Sequence, residues 1–150
     1  MSLSSIFNIA GSAMNAQSVR LNTTASNIAN VQSAASSVDQ VYRGRHPVFA
    51  AVQQRVNESS DHYWNQPMFA DQSESVGVQV LGIVESEAPL QKRYEPAHPL
   101  ADEQGYVNYP NVDIVEEMAN MISASRAYQM NVEIMNSAKQ MMQRVLTMGQ

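Results

Sequence analysis

Apolar positions recur along the first thirty residues in alternating steps of four and three: Leu3, Phe7, Ala10, Met14, Gln17, Leu21, Thr24, Ile28 and Val31. Seven of these nine are apolar, the signature of a narrow helical stripe, and the period of two that marks a strand is absent. A helix over 3–31 would be about 43 Å long at 1.5 Å per residue. Gly11 interrupts the pattern at a cost of about 1 kcal/mol relative to Ala, which a close helix–helix approach would justify. A second stripe runs Ile114, Met118, Met121, Ser125, Tyr128, Val132, Met135, Ala138, Met142 and Leu146. Its start is well marked: Pro110 precedes it, and Asp113 with Glu116 three residues on has the spacing of a capping box. Over 113–147 this helix would extend about 52 Å.

Between the helices the pattern changes. Val48, Ala50 and Val52 alternate, as do Val76, Val78 and Val80, with Ile83–Val84 after Gly82. Such alternation favours strands, although the unbroken run from Val48 to Val56 also fits a helix by periodicity. All six Pro lie between Pro47 and Pro110, so the segment from Pro89 to Pro110 is loop with short strands. Residues 57–75 are polar, carry Trp64 and read as a long surface excursion or a disordered loop. The expected organisation is an N-terminal helix over 1–35, a β-leaning insert over 36–111 with its polar loop, and a C-terminal helix over 112–150. The fold class is α+β, with the two long helices paired as an antiparallel coiled coil.

Composition narrows the function. The chain has 150 residues, a net charge of −5 and 15% charged side chains, against roughly 25% in ordinary soluble domains. An acidic balance argues against nucleic-acid binding, which rests on Lys and Arg neutralising phosphates. Cysteine is absent, which removes disulfides, thiolate nucleophiles and Cys-ligated metals. No secretory signal opens the chain, since its first cation is Arg20. His46, His62 and His98 are too scattered for a metal motif. Asp102–Glu103 reads as a solvated turn rather than an acid–base pair, and no phosphate-cradling glycine motif occurs. The reading is of a non-enzyme that needs no cofactor, no metal and no small-molecule substrate.

The distribution of charge and methionine points instead to assembly. Residues 1–38 carry one charged side chain, Arg20, and the last forty residues hold seven of the ten Met. An exposed helix ordinarily has a charged outer face, and unbranched Met adapts to non-identical neighbours. Two stripes on helices of 45–50 Å cover one another only in part, leaving surface for other subunits. A self-contained helical hairpin acting as a soluble adaptor is the rival from another class.

The run Gly11-Ser12-Ala13-Met14-Asn15-Ala16-Gln17, followed by Arg20-Leu21-Asn22 and Ala25-Ser26-Asn27-Ile28-Ala29-Asn30, resembles the N-terminal signature of bacterial flagellar rod and hook proteins. Glu116-Glu117-Met118 through Ser125-Arg126-Ala127-Tyr128-Gln129-Met130-Asn131 resembles their C-terminal signature. The stretch from Tyr94 to Asp102, Gly105-Tyr106-Val107 and Pro110-Asn111-Val112-Asp113 is similar to the proximal-rod subgroup. Val31-Gln32-Ser33-Ala34-Ala35 departs from the wider family, which has Thr and then Gly-Tyr there, and this loss is compatible with the proximal-rod subgroup. The resemblance marks Asn27, Asn30, Pro110, Asn111, Asp113, Glu117, Arg126 and Tyr128 as motif residues. It implies a structural subunit of the proximal rod, polymerised into a helical shaft that transmits motor torque to hook and filament. Implied partners are other copies of the chain, proximal and distal rod proteins, the rod-base adaptor and the inner-membrane ring. The flagellar type III export apparatus would carry the chain, unprocessed, to the periplasm.

Overall fold

The computed structural model describes residues 3–53 and 75–148. Most of the polar 57–75 stretch, with Trp64 and His62, lies outside the described residues, while Ser75 at its end opens a strand. Helix α1 (Leu3–Asn30) is followed by a short 3-10 turn (Val38–Gln40) and strands β1 (Arg45–Gln53), β2 (Ser75–Glu85), β3 (Gln91–Tyr94) and β4 (Tyr106–Tyr109). Helix α2 (Ile114–Met148) completes an α+β fold. Strands β1 and β2 pair antiparallel from Arg45↔Glu85 to Gln53↔Ser75, with bulges between Val48 and Phe49 and between Val52 and Gln53. The run from Val48 is therefore strand as far as Gln53, where periodicity alone left a helix open. Strands β3 and β4 form a separate hairpin, from Gln91↔Tyr109 to Tyr94↔Tyr106.

Helix α1 packs against both α2 and the β1–β2 hairpin. This explains why it can do almost without charge: its exposed edge is reduced to Asn8, Asn15, Asn22, Ala25 and Ala29. Several of its polar side chains turn back on the helix itself. Thr23 Oγ1 donates to the carbonyls of Val19 and Arg20, Ser12 Oγ to Ile9 and Asn30 Nδ2 to Ser26. Such back-bonding lets hydroxyl and amide groups leave water without partners from elsewhere. The helix ends at Asn30, whose carbonyl receives both the amide and the hydroxyl of Ser33. Val31, expected within the helical stripe, thus falls in the turn that follows.

The buried alanines of the two helices are Ala10, Ala16, Ala124 and Ala138, all at most 3% exposed. Gly11 is not the contact expected of it, since a Cβ built there meets nothing within 4 Å. The glycine that matters is Gly77 on β2. It has φ +148°, and a Cβ at that position would collide with Ser12 Oγ. Val78 N donates 3.1 Å to the same oxygen, seating the hairpin on α1. Among the described residues the buried apolar side chains are those of Ala, Val and Pro110, so no large aliphatic or aromatic group anchors the core.

Candidate assembly surfaces and the asparagine junction

The ends of the two helices meet the insert at one fully buried amide. Asn27, on the last two turns of α1, is 0% exposed. Its Oδ1 accepts from Tyr42 Oη at 2.8 Å and from Arg45 N at 2.9 Å. Its Nδ2 donates to Arg45 O at 2.8 Å and to Glu117 Oε1 at 3.0 Å. One side chain therefore joins α1, the entry to β1, and the first turns of α2. Asparagine suits this role because it has both an acceptor and two donors on one short planar group. Tyr42 Oη also lies 3.2 Å from Ser26 Oγ, and the Arg45 guanidinium stacks 5.3 Å from the Tyr42 ring. The Arg45–Glu85 ion pair at 3.0 Å is about half exposed and contributes little.

A second asparagine holds the other side of the junction. Asn111 Oδ1 accepts from Gly44 N at 2.8 Å, and its Nδ2 donates to the carbonyls of Ser86 and Ala88. Pro110 beside it is fully buried, and Val41, Val107 and Val112 are buried as well. Asp113 caps α2, its Oδ1 accepting from Val115 N at 2.8 Å and Glu116 N at 3.4 Å. Four motif residues marked by the sequence (Asn27, Pro110, Asn111 and Glu117) thus converge on one junction, with Asn30 and Asp113 at its helix ends. Arg126 and Tyr128 lie apart on the exposed side of α2. Tyr42 and Arg45 belong to the junction but were not singled out for it. Nothing local in the sequence distinguishes them from ordinary strand-entry residues.

The pairing of α1 with α2 is antiparallel: Asn27 meets Glu117, and Arg20 Nη2, seven residues earlier, donates 2.8 Å to Asn120 Oδ1. The α2 residues that are fully buried are Glu117, Ala124 and Ala138. Of the two expected stripes, Phe7, Met14, Leu21, Ile28, Val31, Met121, Val132 and Met135 are half-buried. Ile114, Met118, Tyr128, Met142 and Leu146 are exposed, and Leu3 opens α1. Sequence reasoning missed a further apolar row on the outer side of α2. It comprises Val115, Ile122, Met130, Ile134, Met141 and Val145, between 46% and 72% exposed. The seven-residue spacings from Val115 to Ile122 and from Ile134 to Met141 were a usable signal.

Chemistry-bearing side chains are occupied structurally. Asp102 Oδ1 accepts from Gln104 N and Tyr106 N, closing a turn in which Gly105 has φ +82°. His98 Nδ1 accepts from Leu100 N, and His46 sits on exposed strand opposite Val84. Tyr109 Oη donates 3.0 Å to Glu95 Oε2, and this hydrogen bond, with burial and the carboxylate's charge behind it, raises the phenol pKa. Among the described residues no group of three or more His, Cys, Asp or Glu could hold a metal ion. No helix among them is long and apolar enough to cross a membrane.

Residues 7–32 match the family model described as flagella basal body rod protein. Residues 103–148 match that of the flagellar basal body rod FlgEFG protein C-terminal region. The flagellar basal-body rod protein FlgC of Escherichia coli O6:H1 is 47% identical over 150 residues, covering all of both chains. That of Salmonella typhimurium is 46% identical with the same coverage. That of Borreliella burgdorferi is 39% identical over 157 aligned positions, covering all of this chain and 99% of the relative. With both helices and the asparagine junction falling inside these matches, the chain belongs to the FlgC family of flagellar basal-body rod proteins.

Proposed function

We propose that the chain is a structural, non-enzymatic subunit of the proximal rod, polymerised into a helical shaft that carries torque from the motor toward hook and filament. The observation that carries this reading is the exposed apolar row on α2, led by Val115 at 72% and Val145 at 63%. Such a row on a helix whose other side is already packed calls for neighbouring subunits. The heptad spacing of Glu117, Ala124, Asn131 and Ala138 supports pairing of the helices as an antiparallel coiled coil. A core of Ala and Val leaves each helix dependent on neighbours for much of its burial. The termini then gain order as subunits are added, and long helices along the axis give the lattice stiffness.

In this reading the partners are further copies, proximal and distal rod proteins, the rod-base adaptor and the inner-membrane ring, with the type III apparatus as exporter. The chain resides in the periplasmic rod without cleavage of a signal peptide. The test is to replace Leu21 or Val132 with Asp in a deletion strain complemented from a plasmid. Swimming is abolished while the chain is still exported. Normal swimming of both variants would sink the proposal.

A further inference from the structure

All the sulfur in this chain is in methionine, because cysteine is absent. Seven of the ten Met lie on α2, and burial divides them. Met121 and Met135 are half-buried, as is Met14 on α1. Met130 is 60%, Met141 50% and Met148 87% exposed. At about 3.6 residues per turn, Met130 and Met148 stand about five turns apart on one line of the helix, and Met141 lies about 20° from it. Ile134 and Val145 are about 40° and 60° from the same line, so these three thioethers sit within the exposed apolar row. Met118 and Met142 are exposed too, but about 120° to either side.

The Ile and Val of the row have only saturated carbon in their side chains and do not react with a peroxide. A thioether does. Hydrogen peroxide transfers one oxygen atom to the sulfur: its O–O bond breaks, an S–O bond forms from a sulfur lone pair, and the other oxygen leaves as water. The sulfur is oxidised by two electrons and the peroxide is reduced by two. Methionine sulfoxide is polar and chiral where the thioether was apolar and flexible. With no thiol in the chain to compete, the exposed thioethers react first.

We propose that Met130, Met141 and Met148 form an oxidation site for peroxides, at which sulfoxide formation withholds the unassembled chain from assembly. This rests on the reading of the chain as a rod subunit whose α2 row is covered by its neighbours. A sulfoxide oxygen buried there needs a hydrogen-bond donor that an apolar contact does not supply. Oxidised copies are therefore left out, while copies already incorporated are shielded. Restoration requires methionine sulfoxide reductases, one for each epimer.

The test has two arms. The purified chain is treated with hydrogen peroxide, and each Met is followed by peptide mass spectrometry as a gain of about 16 Da per sulfoxide. Met130, Met141 and Met148 gain oxygen before Met14, Met121 and Met135, and equal rates at all six overturn the site. In the second arm the unsubstituted chain and a Met130→Leu, Met141→Leu, Met148→Leu chain are expressed together in a deletion strain. Their ratio in basal bodies is measured with and without peroxide during assembly, so that damage to other proteins affects both chains alike. Peroxide shifts the ratio toward the Leu chain. An unchanged ratio, with both chains incorporated, overturns the withholding and leaves the rod reading standing. A Leu chain that fails to enter basal bodies without peroxide overturns it as well, because the row then needs more than apolar surface. Absence of the unsubstituted chain from basal bodies would refute the rod reading itself.

Discussion

Removing the amide of Asn27 should loosen both helices and the insert together. Asn27→Ala deletes four hydrogen bonds and leaves the Arg45 amide and carbonyl, the Tyr42 hydroxyl and the Glu117 carboxylate without that partner. Three neutral bonds at about 1 kcal/mol each, and one to a carboxylate at about 1.5–3 kcal/mol, sum to roughly 4–6 kcal/mol. Tyr42 Oη keeps Ser26 Oγ within 3.2 Å, and water can enter the vacated space, so about 3–5 kcal/mol is the expected net loss. That is a large part of the roughly 5–15 kcal/mol available to a domain. Asn27→Asp goes further. It keeps both accepted bonds but replaces the donor 3.0 Å from Glu117 Oε1 with a second carboxylate oxygen. At neutral pH it is the more damaging change, and adding Glu117→Gln restores a donor–acceptor pair and recovers about 1–2 kcal/mol. Urea unfolding of the purified chain followed by circular dichroism measures all three. An Asn27→Ala midpoint equal to wild type, or an Asn27→Asp variant no worse than it and indifferent to Glu117→Gln, would refute the junction as an energetic centre.

Gly77→Ala forces a Cβ onto Ser12 at a φ of +148°, and should cost about 1–3 kcal/mol, read as a lowered unfolding midpoint. Ser12→Gly in the same chain removes the collision but not the backbone strain, so recovery is partial. Gln17 Oε1 is buried without a hydrogen-bond partner. Gln17→Met, of similar shape, should therefore raise stability by about 1 kcal/mol, and a lowered midpoint would contradict this. Tyr109 should titrate above its ordinary 10.0 because it donates to Glu95. The stabilisation from that bond is present below pH 10 and disappears as pH rises through the folded-state value. Absorbance at 295 nm, differenced against Tyr109→Phe, follows it. Glu95→Gln should bring the titration down, and no change on that substitution would be a contrary result.

Both helices were legible because their stripes are long and their boundaries chemically marked. Asp113 announces the start of α2 within one residue, through a carboxylate that caps the helix. The strands were legible from alternating Val, but the bulge after Val48 was not, since an extra residue leaves no compositional trace. The surroundings of α1 within the chain were not legible. Its missing charge suggested a surface awaiting subunits, and the same lack of charge also suits a helix packed against both α2 and the β1–β2 hairpin. The unclaimed surface lies mainly on α2, where Val115, Ile122 and Ile134 read in sequence as ordinary helix interior. The junction was legible only as motif residues. That Asn27 and Glu117, 90 positions apart, share a hydrogen bond is a tertiary fact that no local pattern encodes.

That separation has a kinetic side. The bonds of Asn27 reach 15 and 18 residues to Tyr42 and Arg45, but 90 to Glu117. Loops must close before such contacts reward the chain, and the longest closes at the greatest entropic cost. Helix α1 can therefore capture the entry to β1 early, while the α2 connection waits for the far end of the chain. Until it arrives, the carboxamide has a vacant donor and the insert is hinged to one helix rather than clamped between two. The junction thereby acts as a completion check: the insert takes its final orientation only in a chain whose last third has been made and has returned to its first.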